Sequence, residues 1–76
     1  MKRFVFHQNN CIQCKMTMKM WDEAGVGYDH VNIDEEPAYR EQLKAQGFQS
    51  LPVVMIDDGE TAVWTGFRPD KIREFS

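Results

Sequence analysis

The chain has 76 residues, 42% hydrophobic and 28% charged, with a formal net charge of −3. That length suits a single domain, 1–76, and a domain this small buries only about 60–65% of the surface its unfolded chain exposes. Its Lys and Arg are scattered, so it lacks the clustered cations that nucleic acid or an anionic membrane demands. No apolar run nears the roughly 20 residues of a bilayer span, and Met1 to Phe6 is too short and too soon polar for a signal peptide. The expected compartment is therefore the cytoplasm, where thiols are kept reduced.

In chain order, Lys2 to His7 alternates around Phe4, Val5 and Phe6 as a core strand. Gln8-Asn9-Asn10 supplies a polar turn with N-cap chemistry just before Cys11. From Ile12 to Ala24 the pattern is helical: Cys14, Thr17, Trp21 and Ala24 share one face, and Gly25 is placed to end the helix. Tyr28 to Ile33 alternates as a second strand. Asp34, Glu35 and Glu36 gather acid at the start of a second helix, where its dipole favours negative charge, with Pro37 in its first turn and Gly47 at its end. Leu51 to Ile56 reads as a buried strand, and the D-G signal in Asp57-Asp58-Gly59-Glu60 turns the chain back into Thr61 to Thr65 as a hairpin partner. Pro69 and Asp70 open a closing helix with Ile72 and Phe75 inward. The order β-α-β-α-β-β-α predicts an α/β protein: a four-stranded mixed sheet, its first two strands parallel, flanked by three helices covering both faces.

Cys11 and Cys14 are the only cysteines. As a structural staple, a loop this short removes only roughly 2 kcal/mol of chain entropy, before strain is subtracted. A zinc site would need two further ligands, and His7 and His30 are the only histidines, with no second C-x-x-C. Redox chemistry accounts for the placement better. Cys11 sits at the predicted helix N-terminus, where free N–H groups and the positive dipole end stabilise a thiolate, the attacking species. Cys14 follows one turn deeper on the same face, within reach to resolve a mixed disulfide. Ile12 and Gln13 between them tune potential and contacts.

These pieces resemble the NrdH-redoxins, glutaredoxin-like members of the thioredoxin superfamily. The resemblance rests on C-I-Q-C at Cys11 to Cys14, K-A-Q-G-F at Lys44 to Phe48, L-P-V-V at Leu51 to Val54, and W-T-G-F-R-P-D at Trp64 to Asp70, in register along essentially the whole chain. Thr65 stands where the family more often has Ser. The resemblance implies a thioredoxin/glutaredoxin fold and a dithiol–disulfide oxidoreductase with Cys11 as nucleophile and Cys14 as resolving thiol. It implies a cis peptide before Pro52, beside which the Leu51 backbone pairs with an extended substrate; an ordinary trans proline opening the strand is the plain alternative. It also implies a rigid Trp64 to Asp70 loop near the dithiol, in which Gly66, Phe67 and Arg68 meet partners. The implied partners are thioredoxin reductase as electron source and a class Ib ribonucleotide reductase as acceptor, with a monomeric carrier and no bound cofactor or metal. The rivals are a glutathione-dependent glutaredoxin, which usually carries C-P-Y-C and a G-G-acidic motif, a general protein disulfide reductase, and a binding module with an incidental dithiol or a shared iron–sulfur cluster.

Other residues have plainer expectations. Met20 and Trp21 are core, Met18 is solvent-exposed, and Met16 lies on another face again. Trp64 packs in the fourth strand or at its end, while Phe67 is either packed or an exposed anchor. Arg68 pairs with Asp70, His7 ends the first strand, and Asp34 to Glu36 initiate a helix.

Overall fold

The computed structural model describes residues 1–57 and 61–76. Its elements are β1 (Lys2–His7), α1 (Ile12–Glu23), β2 (Asp29–Asn32), α2 (Pro37–Ala45), β3 (Val53–Asp57), β4 (Thr61–Thr65) and α3 (Pro69–Glu74). The sheet order is β2-β1-β3-β4. β1 runs parallel to β2, with Val5 opposite His30, and antiparallel to β3, with Val5 opposite Val54. β3 and β4 are antiparallel, with Val54 opposite Trp64. The limits expected for β1 and β4 hold. The D-G turn lies, from Asp58 to Glu60, outside the described residues.

Alternation divides the side chains between two cores. On one face Val5, Val54, Ile56 and Trp64 meet Trp21 of α1 and Ile72 of α3. On the other Val53 meets Ile33 and Leu43 of α2, with Phe6, Phe48, Leu51 and Met55 around them. Helices thus cover both faces, as predicted, with α1 and α3 on one and α2 on the other. Trp21 is fully buried, and its Nε1 donates to the Ile72 carbonyl (3.1 Å), joining α1 to α3. Trp64 stacks on Phe75, with centroids 5.9 Å apart. Arg3 holds the same edge: its Nε donates to the Phe75 carbonyl (2.6 Å) and its guanidinium lies 6.0 Å from the Trp21 ring centre.

Three local expectations need correction and a fourth needs refinement. Ala24 is exposed, because α1 stops at Glu23 and the chain turns away. There Val26 N–H returns to the Trp21 carbonyl and Gly25 N–H to the Asp22 carbonyl, the paired bonds of a Schellman stop. Phe48 and Gly47 end α2 the same way, on the carbonyls of Leu43 and Lys44, so K-A-Q-G-F is a helix terminator that seats Phe48 on the second core. Met18 is half-buried against the first core and Met20 is half-buried beside it, since α1 is flanked by α3 as well as by the sheet. Tyr28 precedes β2, its hydroxyl donating to Asp22 (2.8 Å); burial and that bond push the phenol up to about 12. Finally, Asp34 to Glu36 do stand at the start of α2, but all three precede its first turn: Glu36 holds the N-cap position without a side-chain bond, and Asp34 bonds to Asn9 instead.

Trp21→Phe removes the α1–α3 hydrogen bond and part of a filled volume. The expected loss is about 2 kcal/mol of stability, read from urea unfolding midpoints.

Candidate functional site

The reactive end of the molecule is built where β1 gives way to α1. Asn10 adopts a left-handed backbone, φ 57°, a conformation that asparagine tolerates better than most residues. The turn makes Cys11 itself the N-cap of α1. Cap chemistry was expected from Gln8 to Asn10, but Cys11 Sγ accepts from the Cys14 N–H (3.2 Å), and the Cys11 carbonyl from Lys15 N–H (3.1 Å). Asn9 is occupied elsewhere. Its backbone N–H donates to Asp34 (2.8 Å) and its side-chain oxygen accepts from Asn32 (2.9 Å), while Arg40 of α2 also donates to Asp34. Asp34 thus clasps the Cys11 turn to α2.

Cys11 and Cys14 are joined as a disulfide with Cα atoms 5.3 Å apart. Cys11 is partly exposed, whereas Cys14 is buried, 1% exposed, so the two sulfurs differ in access. Ile12 is 74% exposed and Met16, one turn on, 42% exposed, giving an apolar shoulder beside Cys11.

Two further segments are tied to this turn. The Leu51–Pro52 peptide is cis, as the resemblance implied. Pro52 is buried, and its carbonyl accepts from Gly66 N–H (2.9 Å). Gln13 Oε1 in turn accepts from Phe67 N–H (3.0 Å). Gly66 has φ +80°, and a Cβ there would stand 3.3 Å from Gln13 Oε1, so both backbone and space favour glycine. Cys11, Ile12, Gln13, Cys14, Leu51, Pro52, Gly66 and Phe67 are therefore drawn to one end by two hydrogen bonds that join three segments. Phe67 is half-buried against the first core rather than a free ring. Arg68 stands apart from them, its guanidinium forked onto Asp70 at 3.2 and 3.0 Å. That pair raises the Arg68 pKa and lowers that of Asp70. On the α2 side, Ile33, Leu43, Phe48, Leu51 and Val53 line a cleft of about 300 Å³, with Arg40 and Lys44 also in its wall.

His7 does more than end β1. Its Nε2 lies 3.0 Å from His30 Nδ1. Burial, then the His30 charge, hold its pKa below the ordinary 6.5, with Glu35 pulling the other way. No helix among the described residues is long and apolar enough to cross a membrane, and no group of three His, Cys, Asp or Glu among them is spaced for a metal ion.

Known proteins match this arrangement. Residues 4–60 match the glutaredoxin family model. The chain is 43% identical over 68 residues to the glutaredoxin-like protein NrdH of Salmonella typhimurium, covering 90% of this chain and 80% of that one. It is 38% identical to the NrdH of Lactococcus lactis, covering 95% and 96%. The Escherichia coli NrdH-redoxin structure superposes with a TM-score of 0.90 at 37% identity, covering 100% of this chain and 96% of that one; that protein is described as having a thioredoxin-like activity profile. The chain belongs to the NrdH-redoxins of the glutaredoxin family. Like other NrdH-redoxins it has a thioredoxin-like fold, and with its C-x-x-C disulfide it is a thiol–disulfide oxidoreductase.

Sequence reasoning missed the Gln13–Phe67 tie, the Asn9–Asp34–Arg40 clasp and the histidine pair in this NrdH-redoxin. Two of them left a trace: a polar residue inside C-x-x-C, and two histidines on strands expected to be neighbours.

Gly66→Ala is expected to cost about 1–2 kcal/mol, mostly from the left-handed backbone. Adding Gln13→Ala should recover only the part due to contact, and urea titration of the single and double variants separates the two. The depressed His7 pKa sets a second expectation. Well above 6.5 neither folded nor unfolded His7 is charged; as pH falls through 6.5 towards the lower folded value the unfolded chain binds the proton first, so stability declines. His7→Gln should flatten that part of the stability–pH curve, measured from unfolding midpoints at neutral and mildly acidic pH.

Proposed function

We propose that the chain is a cytoplasmic, monomeric electron carrier, one domain over 1–76, reduced by thioredoxin reductase and oxidised by a class Ib ribonucleotide reductase. The observation that carries this reading is the asymmetry of the dithiol: Cys11 is reachable at the helix N-terminus and Cys14 is buried one turn below. In the reduced protein the Cys11 sulfur, bathed by the first-turn N–H groups, serves as the thiolate. It attacks one sulfur of the partner's disulfide; the partner's other sulfur leaves with the electron pair and takes a proton from solvent. Cys14, deprotonated, then attacks Cys11 Sγ, freeing the partner's second thiol. The Cys11–Cys14 disulfide so formed accepts two electrons from the flavoenzyme's dithiol by the same exchange in reverse. The carrier needs no bound cofactor.

Leu51, ahead of the cis peptide, offers backbone to an extended partner segment, and Ile12 offers an apolar contact beside the sulfur. Gly66 and Phe67 form the third wall of that site, Gln13 braces it, and Arg68 lies at its margin. Phe67 N–H is already taken by Gln13, and C-I-Q-C replaces the C-P-Y-C of glutathione-dependent relatives. Both favour thioredoxin reductase over glutathione as reductant, and the E. coli relative's thioredoxin-like activity profile leans the same way.

NADPH oxidation coupled to a disulfide substrate distinguishes the donors. Turnover is expected with thioredoxin reductase and little with glutathione plus glutathione reductase; the reverse result would make the chain a glutathione-dependent glutaredoxin. In the same assay Cys11→Ser should abolish turnover, whereas Cys14→Ser should accumulate a covalent adduct with a disulfide-bearing C-terminal peptide of the ribonucleotide reductase, visible by intact mass.

A further inference from the structure

Two clefts meet at His7. One, of about 570 Å³, is lined by His7, Asn9, Asn10, Cys14, Lys15 and Met18, among others. The second, of about 440 Å³, is lined by His7, His30, Glu35 and Glu36, among others. Asn32 and His7 line both, and of the two only His7 titrates.

If Cys14 is the second nucleophile, its buried thiol must surrender a proton to something within the fold's reach. In the first cleft Lys15 offers an ammonium, which carries donors and no acceptor. His7 is the one imidazole there. Its Nε2 is engaged with His30 Nδ1 at 3.0 Å, and the ring centroids are 5.1 Å apart. A centroid separation that long for so short a contact sets the rings nearly end to end, which suits a shared hydrogen rather than two lone pairs converging on a metal ion. His7 Nδ1 has no protein hydrogen-bond partner among the described residues. His30 is exposed.

We propose that His7 receives the Cys14 proton during resolution of the mixed disulfide, by way of water admitted to the larger cleft, and hands a proton on through His30 to solvent. This rests on the dithiol cycle proposed above. In the step, the Cys14 S–H bond breaks and its sulfur forms the bond to Cys11 Sγ. The bond from Cys11 to the partner breaks, and its electron pair leaves on the partner's sulfur. The proton arrives at His7 Nδ1, the Nε2 proton crosses to His30 Nδ1, and one departs from His30 Nε2. Solvent reprotonates the partner's thiolate, so the step is neutral overall. The titratable groups that line the two clefts with His7 are Cys14 and Lys15 from α1, His30 from β2, and Glu35 and Glu36 from the segment after β2. Burial first, then the His30 charge, hold His7 below 6.5 against the opposing pull of Glu35, so it is neutral and able to accept at physiological pH.

The test is stopped-flow reaction of the reduced chain with a nitrobenzoate disulfide whose released thiolate is yellow. The first release reports attack by Cys11 and the second reports resolution by Cys14. If the wild-type chain gives only one equivalent, the dithiol cycle fails and takes this proposal with it. Given two, His7→Gln should slow the second release about tenfold relative to the first at neutral pH. The gap should close at alkaline pH, where hydroxide removes the thiol proton. A wild-type ratio at every pH, or a slowing independent of pH, overturns the proposal. His30→Gln keeps His7 but removes both the proton exit and a like charge, so the second release should slow relative to the first and its pH midpoint should move upward. An unmoved midpoint overturns it even if His7→Gln does not fold.

Discussion

The hydrogen bond from Cys14 N–H to Cys11 Sγ is the contact around which the reactive end is organised. It exists because Asn10 turns the chain through a left-handed residue, which lets a cysteine take the position that Ser, Asp or Asn usually fills at a helix start. A sulfur in that position is both cap and reagent. The helix needs its oxygen-like acceptor, and the chemistry needs the electropositive end of the helix, so one geometry serves both. Cys14 is buried for the same reason, since the residue three places after an N-cap turns inward with Thr17 and Trp21.

That turn would be loose if only the helix held it. Two loops distant in sequence hold it from one side, through Gln13 to Phe67 and Gly66 to Pro52, and α2 holds it from the other through Asp34. Two of these are backbone–side-chain bonds and the Gly66–Pro52 bond is backbone to backbone, each worth about 1 kcal/mol. Their value lies in geometry: they fix three segments relative to the sulfurs without burying much area.

Much of this was legible in the sequence. Strand limits at Lys2–His7 and Thr61–Thr65, the helix faces of Thr17, Trp21 and Ile72, and the Arg68–Asp70 pair follow from periodicity and local chemistry, because each depends on residues near in sequence. Recognition of C-I-Q-C together with L-P-V-V brought the cis peptide and the fold within reach. Acid before Pro37 marks the start of α2 as composition suggests, but Asp34 also bonds to Arg40 and to Asn9, a partner 25 positions away. Met18 lies off the face of α1 that meets the sheet, and its burial comes from the second helix on that side, α3, which helical periodicity does not reveal. Gln13 and His7 were read as local residues, whereas their partners sit 54 and 23 positions away. Periodicity carries no information about such contacts.

Both tryptophans lie on the face shared by α1 and α3, with ring centres 6.5 Å apart, and Trp64 keeps a buried Nε1 that has no hydrogen-bond partner among the described residues. The α2 face has no indole; Tyr39 is its nearest fluorophore, against Phe6. The chain therefore carries its own optical asymmetry. Intrinsic tryptophan emission reports on the layer that contains the dithiol helix, without attaching a dye.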